Sequence, residues 1–159
     1  MNSVIFFATR SGNTRQVAEA VAEGLRSGGP VDVLSAEDGP GTISDAADLL
    51  VIGGPTEGHG MTEPISRLLD RLSTRRTPPT AAAFDTRIRW PRILSGSAAD
   101  GIARRLEAIG ARLIAPPESF MVNTRPELES GELERARAWG ASLAEHARHE
   151  PTSTKAAAS

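Results

Sequence analysis

Cysteine is absent from the 159 residues. That excludes disulfides, thiolate metal sites and cysteine nucleophiles, and it fits a reducing compartment. Tyrosine is absent too, and lysine occurs once, as Lys155, so the remaining basic side chains are arginine and three histidines. No apolar run is long enough to span a bilayer. Met1-Asn2-Ser3 leads straight into Val4-Ile5-Phe6-Phe7, without the basic segment and apolar stretch of a signal peptide. A cytoplasmic protein is the expectation. The net charge of -2 and sequence pI near 5.9 give no sign of a nucleic-acid or membrane partner.

What is present alternates between two periods. Residues 4–8 form a short apolar run suited to a buried strand. In residues 13–26, Val17, Val21 and Leu25 recur four apart, one face of a helix that Gly28-Gly29-Pro30 ends. Residues 31–34 and 49–52 read as strands. Thr62 is a candidate cap for a helix whose Ile65, Leu68, Leu69 and Leu72 share a face. A fourth strand falls at 81–84 or at 92–94. The first is favoured, because Trp90-Pro91 interrupts the second and proline has no N–H for the ladder. Residues 97–109 predict a helix, 113–115 a fifth strand with 120–122 as its candidate extension, and 131–146 a last helix. Leu133, Ala136, Leu143, Ala144 and Ala147 are its inner stripe, and Trp139 is expected against the sheet. One domain over 1–149, followed by a disordered tail at 150–159, accounts for the whole pattern. Strands alternating with helices at this spacing imply a parallel sheet covered on both faces, with ligands bound beyond the carboxyl ends of the strands.

The loop after the first strand reads Thr9-Arg10-Ser11-Gly12-Asn13-Thr14. Gly12 permits a tight turn and close backbone approach. Thr9, Ser11, Asn13 and Thr14 bring polar side chains, and the helix start at Asn13 adds free N–H groups. The loop lacks both the Gly-Lys-Ser/Thr of a nucleoside triphosphatase and GxGxxG. Without lysine, it suits a terminal monophosphate held mainly by hydrogen bonds. A Ser/Thr-rich helix cap would satisfy the same N–H groups. The loop after the third strand, Gly53-Gly54-Pro55-Thr56-Glu57-Gly58-His59-Gly60, is dense in turn residues.

Thr-x-Ser-Gly-Asn-Thr after a first strand, with Val17-Ala18 following on the helix, resembles the flavodoxin signature. The second loop is similar to that family's glycine-rich flavin loop. Phe84-Asp85-Thr86-Arg87, Leu94-Ser95-Gly96-Ser97-Ala98-Ala99, Pro116-Pro117-Glu118-Ser119-Phe120 and Gly131-Glu132-Leu133-Glu134-Arg135-Ala136 resemble a branch of stand-alone flavodoxin-domain proteins. The resemblance covers about residues 3 to 148. It implies a flavodoxin-like three-layer α/β sandwich with a five-stranded parallel sheet in the order 2-1-3-4-5, and FMN as cofactor. It also implies a phosphate site at Thr9, Arg10, Ser11, Gly12, Asn13 and Thr14. The ring site would comprise Pro55, Thr56, Glu57, Gly58 and His59, with Asp85, Thr86, Arg87 and Trp90 opposite.

The chain departs from the family in two respects. Flavodoxins commonly hold the ring between aromatic side chains, whereas here there is no tyrosine and Glu57 stands where an aromatic is common. Only Trp90 and His59 are candidates to stack, and Trp90 is equally readable as core, so flavin binding weaker than a dedicated carrier's is expected. Second, Arg10, Arg15, Arg87, Arg89 and Arg92 lie on or near the expected rim. If several faced the ring they would favour its reduced anionic form; Arg89 and Arg92 also read as a solvated surface. His146 and His149 suit a helix carboxyl end better than a metal. Three functions remain open: an electron carrier to a redox partner protein or small acceptor, an NAD(P)H-dependent reductase of quinone-like acceptors, and a binding module without flavin.

Overall fold

The computed structural model of the chain describes residues 1–38, 46–58, 60–75 and 77–150, with Arg92 and Ser95 described by their backbone. The strands are β1 (Ser3–Phe7), β2 (Val31–Ser35), β3 (Leu49–Pro55), β4 (Thr80–Ile88), β5 (Arg112–Leu113) and β6 (Glu118–Val122). The helices are α1 (Asn13–Leu25), α2 (Glu63–Leu72), a single turn α3 (Arg92–Ser95), α4 (Ala98–Ala108) and α5 (Glu132–His149). All named strand pairs are parallel, in the order β2-β1-β3-β4-β5. The fifth position is shared: β5 pairs with Thr80 and Ala81, and β6 with residues 84–88 of the same strand. Pro116-Pro117 separates the two pieces, since neither proline can donate to the ladder.

The sheet separates two cores. Ile5, Val17, Val21, Leu25, Phe84, Phe120 and Leu143 pack on the α1/α5 side. Phe6, Ile52, Ile65, Leu69, Ile102 and Leu106 pack on the α2/α4 side. The central strands are buried on both faces, which is why they read as unbroken apolar runs. Helices α1 and α5 touch backbone to backbone. A Cβ on Gly24 would lie 2.0 Å from the Arg137 carbonyl, and one on Gly140 would lie 2.1 Å from that of Val21. Trp139 does pack toward the sheet, its ring 6.1 Å from Phe84 and 6.0 Å from Phe120, all edge-to-face.

Several boundaries differ from the sequence reading. Strand β3 runs on through Gly53-Gly54-Pro55, and β4 through Asp85-Thr86-Arg87-Ile88, because pairing continues: Gly53 faces Phe84, Gly54 faces Asp85, Pro55 faces Thr86. Residues 92–95 form a helical turn rather than a strand. Thr62 stands at the amino end of α2 with extended backbone, yet its hydroxyl makes no capping bond. Trp90 is not core: it is 59% exposed. The tail after Glu150 lies outside the described residues, as does His59. Among the described residues, no helix is long and apolar enough to cross a membrane.

Candidate functional site

The carboxyl ends of β1, β3 and β4 bring the three loops together, as open parallel sheets do at a switch in strand order. The phosphate loop owes its shape to its own residues. Gly12 has φ +89, a left-handed conformation that a side chain disfavours, and its N–H donates to Thr9 Oγ1 at 2.9 Å. Asn13 Nδ2 donates to Ser11 Oγ at 3.0 Å and to the Pro126 carbonyl at 2.9 Å, tying the loop to the segment before α5. Thr14 and Thr86 are buried and their hydroxyls lie 2.8 Å apart. Thr9, Asn13 and Thr14 thus spend side-chain contacts on building the loop, which leaves backbone N–H groups as the main donors beyond it.

The start of α1 differs from those of the other long helices in holding no acidic residue in its first turn; a left-handed glycine without a side-chain cap also opens α5, at Gly131, and no side chain caps α2. Gly12 stands at its N-cap, no side chain caps it, and its first turn holds no acidic residue. Glu63 opens α2, Asp100 lies in the first turn of α4, and Glu132 and Glu134 open α5. Unsatisfied N–H groups and a positive dipole end converge where no carboxylate of the helix offsets them. An ideal Cβ on Gly12 would meet nothing within 4 Å, so the space beside the turn is open.

The two other loops are knit into one unit. Thr56 N–H donates to the Thr86 carbonyl at 2.9 Å. Glu57 and Gly60 exchange backbone bonds of 2.9 Å around a turn in which Gly58 has φ +49. Asp85 is wholly buried, and its Oδ2 accepts from Thr56 Oγ1 at 3.0 Å, Ser97 Oγ at 2.7 Å and Ala99 N–H at 3.0 Å. Thr56 Oγ1 in turn accepts from Ala98 N–H at 2.9 Å. One carboxylate therefore fixes the end of β4, the loop after β3 and the start of α4 together. Ser97 also caps α4, accepting from Asp100 N–H at 3.2 Å.

The expected residues fall into two groups. Thr9, Ser11, Gly12, Asn13 and Thr14 meet at the start of α1, where Arg10 also begins. Pro55, Thr56, Glu57 and Gly58 lie beside Asp85 and Thr86. Arg87 turns to its own segment, donating from Nη1 to the Trp90 carbonyl at 2.9 Å. Trp90 is exposed, and its described backbone contacts are local, to Arg87 and Ile88. The rim arginines are largely neutralised: Arg10 pairs with Glu57 at 3.2 Å, Arg15 with Glu19 at 3.1 Å and Arg89 with Glu129 at 2.7 Å.

Sequence reasoning did not find the Asp85 clamp partners Ser97 and Ala99, nor the segment around Pro126 that contacts the phosphate loop. Ser97-x-x-Asp100 is a legible capping pattern. Its reach to Asp85 is a tertiary contact that no spacing announces. Near Pro126, Glu132 accepts from Met121 N–H at 2.6 Å and from Arg135 at 2.7 Å. Burial opposes its charge, but the Arg135 guanidinium and the Met121 N–H prevail and hold its carboxyl below the usual carboxylate range. Arg135 is correspondingly raised, first through Glu132.

Comparison with known proteins agrees with this fold. The flavodoxin family model matches residues 5–139, and the chain belongs to the flavodoxin family. Among solved structures, a flavodoxin from the domain Archaea superposes with a TM-score of 0.78 at 22% identity, covering 94% of this chain and 100% of that one. A WrbA-like flavodoxin from Agrobacterium tumefaciens gives 0.71 at 23% identity, over 94% and 99%. Rubredoxin oxygen:oxidoreductase from Desulfovibrio gigas gives 0.76 at 19% identity, where this chain spans 92% of itself but 36% of that protein. No curated protein matches.

Proposed function

We propose that this chain binds FMN and carries electrons to or from a partner protein. The observation that carries the reading is the start of α1, uncapped, free of acidic residues and turned by Gly12 at φ +89. Such an end suits a phosphate dianion. In this reading the N–H groups of Ser11, Asn13 and Thr14 hold the phosphate. Residues 55–58 flank the ring on one side, and Asp85 keeps that loop in register with the end of β4. Trp90 lies at the ring's edge. When bound, the flavin supplies the redox chemistry, and the chain positions it.

An exposed apolar segment favours a protein partner. Four of the five exposed large hydrophobic side chains described, Ile88, Trp90, Ile93 and Leu94, lie between the last residue of β4 and the single turn α3. Ile93 is 97% exposed. A cluster of this kind marks a contact surface. The test is anaerobic stopped-flow: the FMN-loaded protein, photoreduced, is mixed with cytochrome c. The carrier reading expects prompt electron transfer and negligible NADPH oxidation without a partner. A second reading rests on Glu57, which leaves one ring face without an aromatic cover. NAD(P)H oxidation strongly accelerated by a quinone would replace the carrier with a reductase.

A further inference from the structure

We propose that Arg10 exchanges partners when a flavin binds, leaving Glu57 for the flavin phosphate, and so makes the site select phosphorylated over unphosphorylated flavin. This rests on the FMN reading above. Arg10 belongs to the phosphate loop, yet its side chain contacts the ring loop, through Nε to Glu57 Oε1 at 3.2 Å. The contact is a weak one. It uses Nε in a single contact, not the two-point fork that makes arginine–carboxylate pairs strong. The Arg10 side chain is 82% exposed and Glu57 32%. An exposed pair of this type shifts an equilibrium by about five-fold at most.

The surroundings favour the exchange. Arg10 and Glu57 line a cleft of about 440 Å³ between the phosphate loop and the start of α2, together with Glu37 and Glu63. Arg10 is the cation among these lining residues, against three carboxylates. A phosphate monoester brings roughly two negative charges and three acceptor oxygens. It outbids a single, half-solvated carboxylate for the guanidinium. Without Arg10 it would enter a field set by Glu37, Glu57 and Glu63. Riboflavin brings no charge, gives Arg10 no reason to leave Glu57, and gains nothing from the loop's N–H groups.

The test is a fluorescence titration of FMN and of riboflavin into wild-type, Arg10→Ala, Glu57→Gln and the double variant. Both positions are exposed enough for the fold to tolerate the changes, which circular dichroism checks. Arg10→Ala is expected to weaken FMN about ten-fold and riboflavin less than two-fold. Glu57→Gln is expected to tighten FMN about three-fold relative to riboflavin, and to tighten it clearly less on the Arg10→Ala background, where no guanidinium is released. The preference for FMN should shrink as salt is raised. Equal weakening of both flavins by Arg10→Ala overturns the exchange while leaving the FMN reading intact. So does a Glu57→Gln effect on FMN that is undiminished without Arg10. Wild-type protein that binds neither flavin overturns both.

Discussion

Two arginine–glutamate pairs, Arg135–Glu132 between α5 and β6 and Arg10–Glu57 between two loops, are built in opposite ways. Glu132 is buried, 7% exposed, and meets Arg135 through two donors while also accepting from Met121 N–H. Arg135 adds Glu118 and the Ser119 carbonyl, and its guanidinium lies 4.5 Å from the centre of the Phe120 ring. The Arg10–Glu57 contact is a single exposed bond. The first arrangement joins β6 to α5 through several bonds at once. The second has little to lose by breaking. The same two residue types serve as a fixed brace and as an exchangeable contact, and burial and the number of bonds decide which.

Variants can break that contrast. The largest effect is expected at Asp85, which belongs with the braced carboxylates. Asp85→Ala leaves Thr56 Oγ1, Ser97 Oγ and Ala99 N–H without their acceptor, and should cost about 3–4 kcal/mol in urea unfolding. Glu132→Ala strands Arg135 beside Phe120. Because the Arg135 side chain is 40% exposed, the loss should be about 2–3 kcal/mol, below that of a fully buried pair.

Acid sharpens the comparison. Glu132 has its pKa lowered in the fold, so it binds protons less readily folded than unfolded. Its stabilising contribution is fully present above the unfolded carboxylate value of about 4.3, and is lost as pH falls through the lower folded value. Glu132→Gln should therefore flatten the acid limb of the stability-versus-pH curve. Gly12→Ala forces a side chain into a left-handed turn and should cost about 1–2 kcal/mol, with FMN affinity falling as the turn relaxes. The smallest change is expected at Glu57 itself. Glu57→Gln should alter stability by less than about 0.5 kcal/mol while still changing flavin preference.

Much of the fold was legible because its central strands are buried on both faces and its helices keep a regular apolar spacing. Val17, Val21 and Leu25, and Ile65, Leu68, Leu69 and Leu72, all lie in the core as their periods required. Strand ends were less legible. Gly53-Gly54-Pro55 is turn-like in composition, yet it remains strand because β4 continues beside it, and pairing overrides local preference. The turn after β1 was readable from Gly12 and the polar residues around it. What it contacts was not. The Asn13 bond to the Pro126 carbonyl spans 113 positions, and the Asp85 bond to Ser97 depends on where α4 begins. Trp90 shows the limit most clearly, since a tryptophan before a proline reads equally as core or as surface until its neighbours are known.

The central claim is that residues 9–14 hold the phosphate of FMN, and reconstitution tests it most directly. The purified protein is soaked with FMN, freed of excess and its absorbance recorded, with Gly12→Ala treated in parallel. The account predicts flavin bands close to one FMN per chain for the wild type and a clear loss for the variant. A wild-type protein that stays colourless after soaking would contradict it, and would leave a flavodoxin fold serving as a binding module.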